Sequence, residues 1–435
     1  MNRVPIIRFL CLLFFGTYLV SCQKIDYTTM DNPAYLRVFN SVNHYQGMEI
    51  KGDTSTYLCM LVDPELDPAG IPTAASIVGD YLTERETYAP PYPVHIGVST
   101  SQANPEYPGK ESVLAAPVLN GFDLSSWAQV PSGTHRFLFM TRPRDEVSFF
   151  ELPEREKRNV LIDTTVRLEP GEVYTMHILL ADYLSKKRGF LMRQENFYKQ
   201  SFSDSLVYVN FYNYSAKGYW MAPIDRKVPT GLLVSNMNNV MQGIRDTMNI
   251  FLTLFGSQAY GFQYPGSKTA LLEEAATPIS KTYTNRFLTA LYRDTQSGAT
   301  NPYISFPLWA AGHDGKTYTD IWESFAFLSP GIELTTVPVT RDGMGLNNGL
   351  NPFVNGSLLA TLNCIADFDE SMFIAQPTAS GFGTNHTGFT APNMIINTHS
   401  GTDNPRSFAT VNTIEVINGK VYLMTIQRKY AAPIY

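Results

Sequence analysis

Cysteine is scarce in this sequence. Only four cysteines occur among 435 residues, at positions 11, 22, 59 and 364, and no two of them form a CxxC pair. The two in the body of the chain, Cys59 and Cys364, lie far apart. A disulfide framework and a cysteine zinc site are therefore excluded as the basis of the fold. Stability must come from apolar burial, for which 44% apolar residues are available.

Motifs that carry catalysis or cofactor binding are also missing. The chain has no GxSxG elbow, no GxGxxG or GxxxxGK[ST] loop and no HExxH helix, and its seven histidines never pair at metal-binding spacing. We therefore expect no metal, no cofactor and no enzymatic activity. Paired carboxylates leave no sequence signature, because the fold and not the spacing brings them together, so a hydrolase stays a third alternative.

Positive charge is not in excess. The chain has 33 Lys and Arg against 39 Asp and Glu, a formal net charge of −6, and no basic block. Nucleic-acid binding depends on clustered basic residues that neutralise phosphates. We therefore expect no nucleic-acid partner.

The one long apolar run lies at the N-terminus, from Phe9 to Val20, after Arg3 and Arg8. It is shorter than the roughly 20 residues that a membrane-spanning helix needs, and it fits a secretory signal. Leu19-Val20-Ser21-Cys22 then resembles the bacterial lipobox. The resemblance implies a lipoprotein signal peptide over residues 1–21, lipid attached to Cys22, and a tether over residues 22–32.

The residues after Cys22 bear on location. Gln23-Lys24-Ile25-Asp26 partly resembles the short export tag of surface lipoproteins in the Bacteroidetes, from which Ile25 departs. The resemblance implies a protein that is lipid-anchored in the outer membrane and exposed at the cell surface. The membrane is then its first partner, through the lipid on Cys22.

Aromatic residues are abundant, with 26 Phe, 25 Tyr and 4 Trp, and they favour strands. Short strand-like runs recur between breaks rich in Pro, Gly and Asn. This pattern predicts an all-β fold of antiparallel sandwiches. The runs are Tyr57–Val62, Val94–Val98, His135–Met140, Val147–Leu152, Asn249–Phe255, Phe287–Tyr292 and Phe325–Leu328.

An internal repeat suggests two copies of one domain. Val166–Ile178 aligns without gaps to Ile414–Ile426, each predicted as a hairpin, with turns at Pro170-Gly171 and Asn418-Gly419. The second strands alternate, which predicts that Tyr174, Met176 and Ile178, like Tyr422, Met424 and Ile426, face a core.

The starts of the two copies match as well, Leu36–Asn40 with Val209–Asn213. We therefore predict two tandem β-sandwich domains. The first spans residues 33–182, a polar linker spans 183–204, and the second spans 205–435 with insertions in its loops.

Ala34–Asn40, Val130–Phe137 and Leu168–Thr175 together resemble a secreted bacterial domain family of unknown function. The shared pattern is a leading strand that ends in Asn, a central Pro-Gly hairpin and a closing Pro-Gly hairpin. It covers most of the first domain and the two ends of the second. The resemblance implies an immunoglobulin- or transthyretin-like sandwich with no established catalytic residues.

Aromatic residues of the second domain are the candidate ligand-binding residues. Flat rings can stack on sugar faces, so an exposed row would suit a glycan. The alternative is packing against a second sheet or against the sister domain, because Tyr35 and Phe39 occupy the same strand face in the first domain. The candidates are Tyr208, Tyr212, Tyr219, Trp220, Trp309 and Trp322.

Two functions remain ahead of the hydrolase. The first is a non-enzymatic surface lipoprotein that acts as a binding or accessory module, for glycan or nutrient uptake beside outer-membrane transporter proteins. The second is a structural or adhesive subunit, or the anchor, of a surface fibre.

Overall fold

The structure is a computed structural model that describes fifteen parts of the chain. For several strands of the C-terminal half it describes only the backbone. The described residues are 30–42, 57–82, 85, 113–143, 147–219, 221–222, 246–256, 281–307, 321–328, 330, 358–365, 397–400, 406–418, 420–426 and 428.

Within these residues the fold is all-β, as the composition predicts. They form twenty strands and four 3₁₀ turns, and no α-helix occurs among them. We call residues up to 205 the N-terminal half and residues from 206 onward the C-terminal half. The 3₁₀ turns are Phe149–Glu151, Glu154–Lys157, Phe197–Lys199 and Lys281–Tyr283.

Each half contains ten strands. In the N-terminal half they are β1 (Ala34–Ser41), β2 (Tyr57–Val62), β3 (Glu65–Leu66), β4 (Pro72–Ala74), β5 (Ile77–Leu82), β6 (Ala128–Val130), β7 (Gly133–Arg142), β8 (Val160–Leu168), β9 (Val173–Asp182) and β10 (Lys187–Gln194). In the C-terminal half they are β11 (Leu206–Asn213), β12 (Thr247–Gly256), β13 (Arg286–Tyr292), β14 (Ile304–Pro307), β15 (Ile321–Leu328), β16 (Leu358–Ile365), β17 (Asn397–Ser400), β18 (Arg406–Ala409), β19 (Val411–Ile417) and β20 (Lys420–Ile426).

Four sheets of four strands dominate the structure. In the N-terminal half the inner sheet has the order β10-β9-β1-β6 and the outer sheet β5-β2-β7-β8. In the C-terminal half the inner sheet has the order β20-β19-β11-β14 and the outer sheet β13-β12-β15-β16. The pairs β3–β4 and β17–β18 form separate two-stranded sheets.

The strand order of the first half recurs in the second. When the two small pairs are left out, eight strands follow one another in the same sequence and take the same places, with the same directions. Each opening strand lies in the middle of its inner sheet and has one parallel neighbour. That neighbour is β9 for β1, with Phe39 opposite His177, and β19 for β11, with Tyr212 opposite Glu415.

This correspondence corrects the predicted repeat. The strand β8 pairs with β7 in the outer sheet, whereas β9 pairs with β1 and β10 in the inner sheet. The turn at Pro170-Gly171 therefore carries the chain from one sheet to the other, and the predicted closing hairpin of the first half is wrong. The structural equivalent of β9 is β19, whereas the sequence alignment had matched it to β20.

The predicted central hairpin, Val130–Phe137, is a second crossing of this kind. It leaves the inner sheet at β6 and enters the outer sheet at β7. Proline and glycine permit a sharp bend both in a hairpin within one sheet and in a crossing between two sheets. Turn chemistry alone therefore does not distinguish a crossing from a hairpin. The Asn418 hairpin is confirmed, because Ile417 pairs with Lys420 and Asn418 has φ +54°.

Alternation along the inner strands builds the core of the N-terminal half. Leu36 and Val38 point to the outer sheet and pack with its Phe137 and Phe139. The triplet of Tyr174, Met176 and Ile178 joins the same cluster, as predicted. Burial of each such side chain contributes about 1.5–3 kcal/mol to stability. In the C-terminal half, the ring of Phe211 similarly lies 5.5 Å from that of Phe325.

Two other segments differ from expectation. Val147–Leu152, predicted as a strand, contains a 3₁₀ turn because the Phe149 N–H donates to Asp80 and the Phe149 ring packs under the outer sheet with Leu152. Residues 187–194, expected within the linker, form β10. Their basic start suggested a solvated segment, yet Met192 and Phe190 pack against the core.

Candidate functional site

The two inner sheets contact each other through the faces that point away from their outer sheets. An apolar cluster at one end combines Leu179 and Leu191 of the N-terminal half with residues of the C-terminal half, namely Tyr212, Tyr214, Ile417 and Tyr422. A second cluster at the other end combines Tyr35 and Val173 with Val411 and Ile426. The two halves therefore share a continuous buried face.

Ionisable side chains occupy the middle of this face. We call them the buried charge cluster, and every member is at most 5% exposed. Charged groups are almost never buried to this degree unless they are paired. The members are Arg37, Arg85, His177, Arg193, Glu195 and Glu415.

Glu415 is the carboxylate at the centre. It accepts a hydrogen bond from Arg193 Nη1 at 2.8 Å, and it also pairs with Arg85. Burial would raise its pKa, but the nearby Arg85, His177 and Arg193 outweigh burial and hold the pKa well below its ordinary value. Glu415 is therefore ionised, and it links two arginines of the N-terminal half to a strand of the C-terminal half.

Arg193 is held on three sides. Its Nε and Nη2 atoms donate to Glu195 Oε1 at 3.0 and 2.8 Å, and Nη1 also donates to the Tyr214 hydroxyl at 2.6 Å. The guanidinium lies 4.2 Å from the ring centre of Tyr212. Burial would lower the pKa of Arg193, but the negative charges of Glu195 and Glu415 raise it well above its ordinary value.

Arg85 joins the halves by stacking. Its guanidinium lies 4.0 Å from the ring centre of Phe39 in the N-terminal half and 4.3 Å from that of Tyr422 in the C-terminal half. The Tyr422 hydroxyl donates to the Arg85 carbonyl at 2.7 Å. Such cation–π contacts contribute about 2 kcal/mol or more when they are shielded from water.

Arg37 has no carboxylate within hydrogen-bond distance among the described residues. Its guanidinium stacks 3.7 Å from the ring centre of Trp127, and Nη2 contacts the Met424 sulfur at 2.9 Å. Burial is the largest influence on this group, and it lowers the pKa of Arg37 to about 9.

His177 lies beside Glu415, with Nε2 3.5 Å from Oε1. Its Nδ1 shares a hydrogen bond of 3.1 Å with the Ser41 hydroxyl, and its ring stacks on Phe39 at 5.3 Å. Burial is the main cause of a pKa lowered to about 4, against an opposing effect of Glu415. His177 is therefore neutral near pH 7.

A backbone crossing also joins the halves near β10. The chain that approaches β14 passes over this strand at Gly298, which has φ +60°, and a Cβ atom there would overlap the Met192 carbonyl oxygen. Two residues later the Thr300 hydroxyl donates to the Gln194 carbonyl at 2.7 Å.

This arrangement holds the two halves together and is closed to a substrate. His177 and Glu415 could in principle exchange a proton, but both side chains are 0% exposed. Removal of one partner from a buried ion pair destabilises a protein by about 3–5 kcal/mol, because the other charge stays buried. The chemistry of the cluster is therefore the mutual neutralisation of charges contributed by both halves.

The structure places the candidate aromatic residues in different environments. Tyr212 and Tyr219 are each 2% exposed, and burial raises the pKa of both. Tyr208 is partly exposed, and its ring lies 4.3 Å from that of Phe202. Trp322 lies in β15, in register with Phe255 and Ile365. Trp220 and Trp309, like Cys22, lie outside the described residues.

The charged members of the cluster went unnoticed in the sequence. A usable signal existed, because Arg37 and Glu415 are each the single charged residue of their strand, at a position that alternation assigns to one face. Such a charge indicates either a solvated face or a buried pair. Only the contacts between the two halves distinguish a solvated face from a buried pair, and those contacts cannot be read from the spacing of residues in the sequence.

Membrane-spanning helices and metal sites were sought in the described residues, and the whole chain was compared with known proteins. In the part of the chain that the structure describes, no helix is long and apolar enough to cross a membrane. No group of three or more His, Cys, Asp and Glu side chains in that same part could hold a metal ion. No protein-family model matches this chain, and no curated protein matches it either.

Proposed function

We propose that this protein is a non-enzymatic lipoprotein, anchored in the outer membrane by lipid on Cys22, that acts at the cell surface as a binding or accessory module for glycan or nutrient uptake. The observation that carries the proposal is the buried charge cluster. It fastens the inner sheets of both halves to each other through ion pairs and stacking contacts, which favours a single rigid body. A rigid body on a lipid tether suits presentation of a ligand site outside the membrane.

Each half is proposed to be one immunoglobulin- or transthyretin-like β-sandwich. In the N-terminal half a single apolar cluster contains side chains of both the inner and the outer sheet, such as Val38 and Phe139. In the C-terminal half Phe211 of the inner sheet contacts Phe325 and Phe327 of the outer sheet. The common strand order supports a tandem pair.

The tether limits the reach of the module. Residues 22–32 can span at most about 36 Å when fully extended, at roughly 3.3 Å per residue. The N-terminal half then stays close to the membrane, and the C-terminal half carries the candidate ligand residues Tyr208, Trp220, Trp309 and Trp322. A second partner of this half would be an outer-membrane transporter.

The anchor is tested with Cys22→Ser in the full-length precursor. We expect this variant to lose incorporation of labelled palmitate and to leave the membrane fraction, with an unchanged circular dichroism spectrum. Cys59→Ser is the matched control, because that cysteine is buried in β2. Retention of the Cys22→Ser protein in membranes would refute the anchor.

Ligand binding is tested on a glycan array with residues 23–435, which are the mature chain without its lipidated cysteine. We expect binding that falls at least tenfold in Trp309→Ala or Trp220→Ala. Tyr292→Ala is the control, since this ring is 66% exposed and lies outside the candidate set. An array without any binding would contradict the glycan ligand.

One observation favours the fibre subunit as the second candidate. The strand β13 lies at the edge of an outer sheet, and its Phe287 and Tyr292 are exposed. Exposed apolar edge strands are templates for pairing with another chain. If the protein is a fibre subunit, crosslinking on intact cells should give multimers that Phe287→Lys abolishes and Val160→Lys, on the edge strand β8, leaves intact. A monomer at all concentrations would remove this candidate.

A further inference from the structure

Equivalent residues of the two halves make equivalent backbone contacts. Asn40 and Asn213, which end the opening strands, each accept an N–H two residues further on, from Val42 at 3.3 Å and from Ser215 at 3.1 Å. The Asn40 carbonyl accepts the Arg85 N–H at 2.7 Å, and the Asn213 carbonyl accepts the Asp294 N–H at 2.9 Å. These matching hydrogen bonds make Arg85 and Asp294 equivalent residues of the two halves.

The same register equates His177 with Glu415, because they lie opposite Phe39 and Tyr212 in the parallel pairs. These two equivalent residues face each other at 3.5 Å. A residue meets its own equivalent in this way when it lies close to the axis that relates the two halves, as at the two-fold axis of a dimer. The interface between the inner sheets is therefore built like that of a symmetric dimer.

Contacts on both sides of His177 and Glu415 agree with a two-fold arrangement. On one side β1 of the first half lies against β20 of the second, where Arg37 contacts Met424. On the other side β10 of the first half lies against β11 of the second, where the Arg193 guanidinium stacks on Tyr212. Exchange of the halves would exchange these two pairs of strands.

The side chains break this symmetry. The pairing registers equate Arg193 with Met424 and Arg37 with Asn210. The N-terminal half thus contributes three arginines to the face, and the C-terminal half contributes none at the matching positions. Two N-terminal faces together would bury six arginines with two copies of Glu195, and two C-terminal faces would bring two copies of Glu415 together without an arginine.

We propose that Glu415 and His177 are the specificity-determining pair of this internal two-fold interface, so that the arginine-bearing inner face of the N-terminal half accepts a sheet of its own topology only when this pair supplies one carboxylate at the axis between them. The partner is the second half of the same chain. Each half recognises the other and excludes a second copy of itself.

The test uses the full mature chain with a protease site inserted after Asp204, in an exposed turn between the halves. The folded protein is cut, and the dissociation constant of the two fragments is measured by dilution and by size-exclusion chromatography. We expect the fragments of the unsubstituted protein to stay together as one pair and to show no self-association of either fragment.

Three variants then locate the specificity. Glu415→Gln and Glu415→His should each weaken the pair by about a hundredfold or more, because the buried arginines lose their shared carboxylate. The exchange variant H177E/E415H restores one carboxylate at the axis, where Arg85 and Arg193 lie close by. It should recover binding to within about tenfold of the original. Glu169→Gln, an exposed carboxylate, is the matched control.

Two results would overturn the proposal. The first is a Glu415→Gln protein whose fragments bind as tightly as those of the Glu169→Gln control. The second is an exchange variant that is no better than Glu415→His. If Glu415→His fails to fold, recovery of a folded protein by the exchange variant supports the proposal, and its failure to recover contradicts it.

Discussion

The inner sheets of the two halves have the same strand order and register, but their facing sides differ in chemistry. The N-terminal side presents Arg37, Arg85 and Arg193, whereas the C-terminal side presents Glu415 among tyrosines. Backbone pattern and apolar alternation are enough to repeat the fold. The differences lie at the centre of the shared face, where each half compensates charges that the other cannot leave buried alone.

The largest effect on the free energy of unfolding is expected when an arginine of the N-terminal side is replaced by the residue at the equivalent position of the C-terminal side. Arg193→Met introduces the side chain that stands at the equivalent position, Met424. It leaves Glu195 and Glu415 buried with less compensation and should lower the free energy of unfolding by about 3–5 kcal/mol. Urea denaturation measures this change.

The matched control is Arg136→Met, which removes an exposed pair with Asp163 and should cost about 1 kcal/mol or less. Equal costs for Arg193→Met and Arg136→Met would show that the buried charges contribute no more than surface charges do.

The next effect concerns acid. The native state lowers the pKa of His177 from 6.5 to about 4, so the unfolded state binds more protons between these values. Stability should therefore fall as the pH drops from 6.5 to 4, by up to about 3 kcal/mol from this group. The lowered pKa of Glu415 adds to the loss in acid.

His177→Gln should flatten the pH dependence of the urea midpoint between pH 6.5 and 4. The control is His135→Gln, which replaces a histidine of the outer sheet. It should keep the pH dependence of the urea midpoint, because His177 is still present. An unchanged slope in His177→Gln would mean that another group governs acid sensitivity.

A smaller and equal effect is expected at the two opening-strand asparagines. Asn40→Ala and Asn213→Ala each leave a buried N–H without its acceptor, on Val42 and Ser215, and should cost about 1–3 kcal/mol. Thermal unfolding of both variants measures whether the halves respond alike. A loss confined to one variant would show that these equivalent positions differ in energy.

The smallest effect is expected at the sheet crossing. Gly171 has φ +75°, and an added Cβ atom would meet no other atom within 4 Å. Gly171→Ala should therefore cost only the conformational penalty of a left-handed backbone, about 1–2 kcal/mol. Asn418→Gly, at the hairpin turn with φ +54°, relieves that penalty but loses the acceptor for the Ala216 N–H. A cost of several kcal/mol for Gly171→Ala would indicate a packing role that the structure does not show.

The sequence was sufficient for strands whose side chains alternate between a core and another surface. Tyr57–Val62 is predicted and observed with the same bounds, and Leu36 and Val38 face the core as their spacing indicates. These features depend on period and composition, which are local. The opening strands Leu36–Asn40 and Val209–Asn213 do occupy matching places in their sheets.

The closing segments show why the rest was out of reach. Val166–Ile178 and Ile414–Ile426 are similar in sequence because each holds a strand, a bend and a strand. One bend crosses between sheets and the other closes a hairpin, and that difference depends on which strands pair. In the same way, nothing local distinguishes Glu415 from a solvated strand residue, since its partners Arg85 and Arg193 lie hundreds of positions away.

Gly298 sets a limit of another kind. At this position the main chain of Gly298 packs directly on the main chain of Met192 in β10. The two halves can approach this closely only because glycine has a hydrogen atom where other residues have Cβ. The atom in the way belongs to the backbone, so no second substitution can make room for a Cβ atom that would overlap the Met192 carbonyl. A saturation library at this codon, selected for folded protein, should therefore return glycine alone.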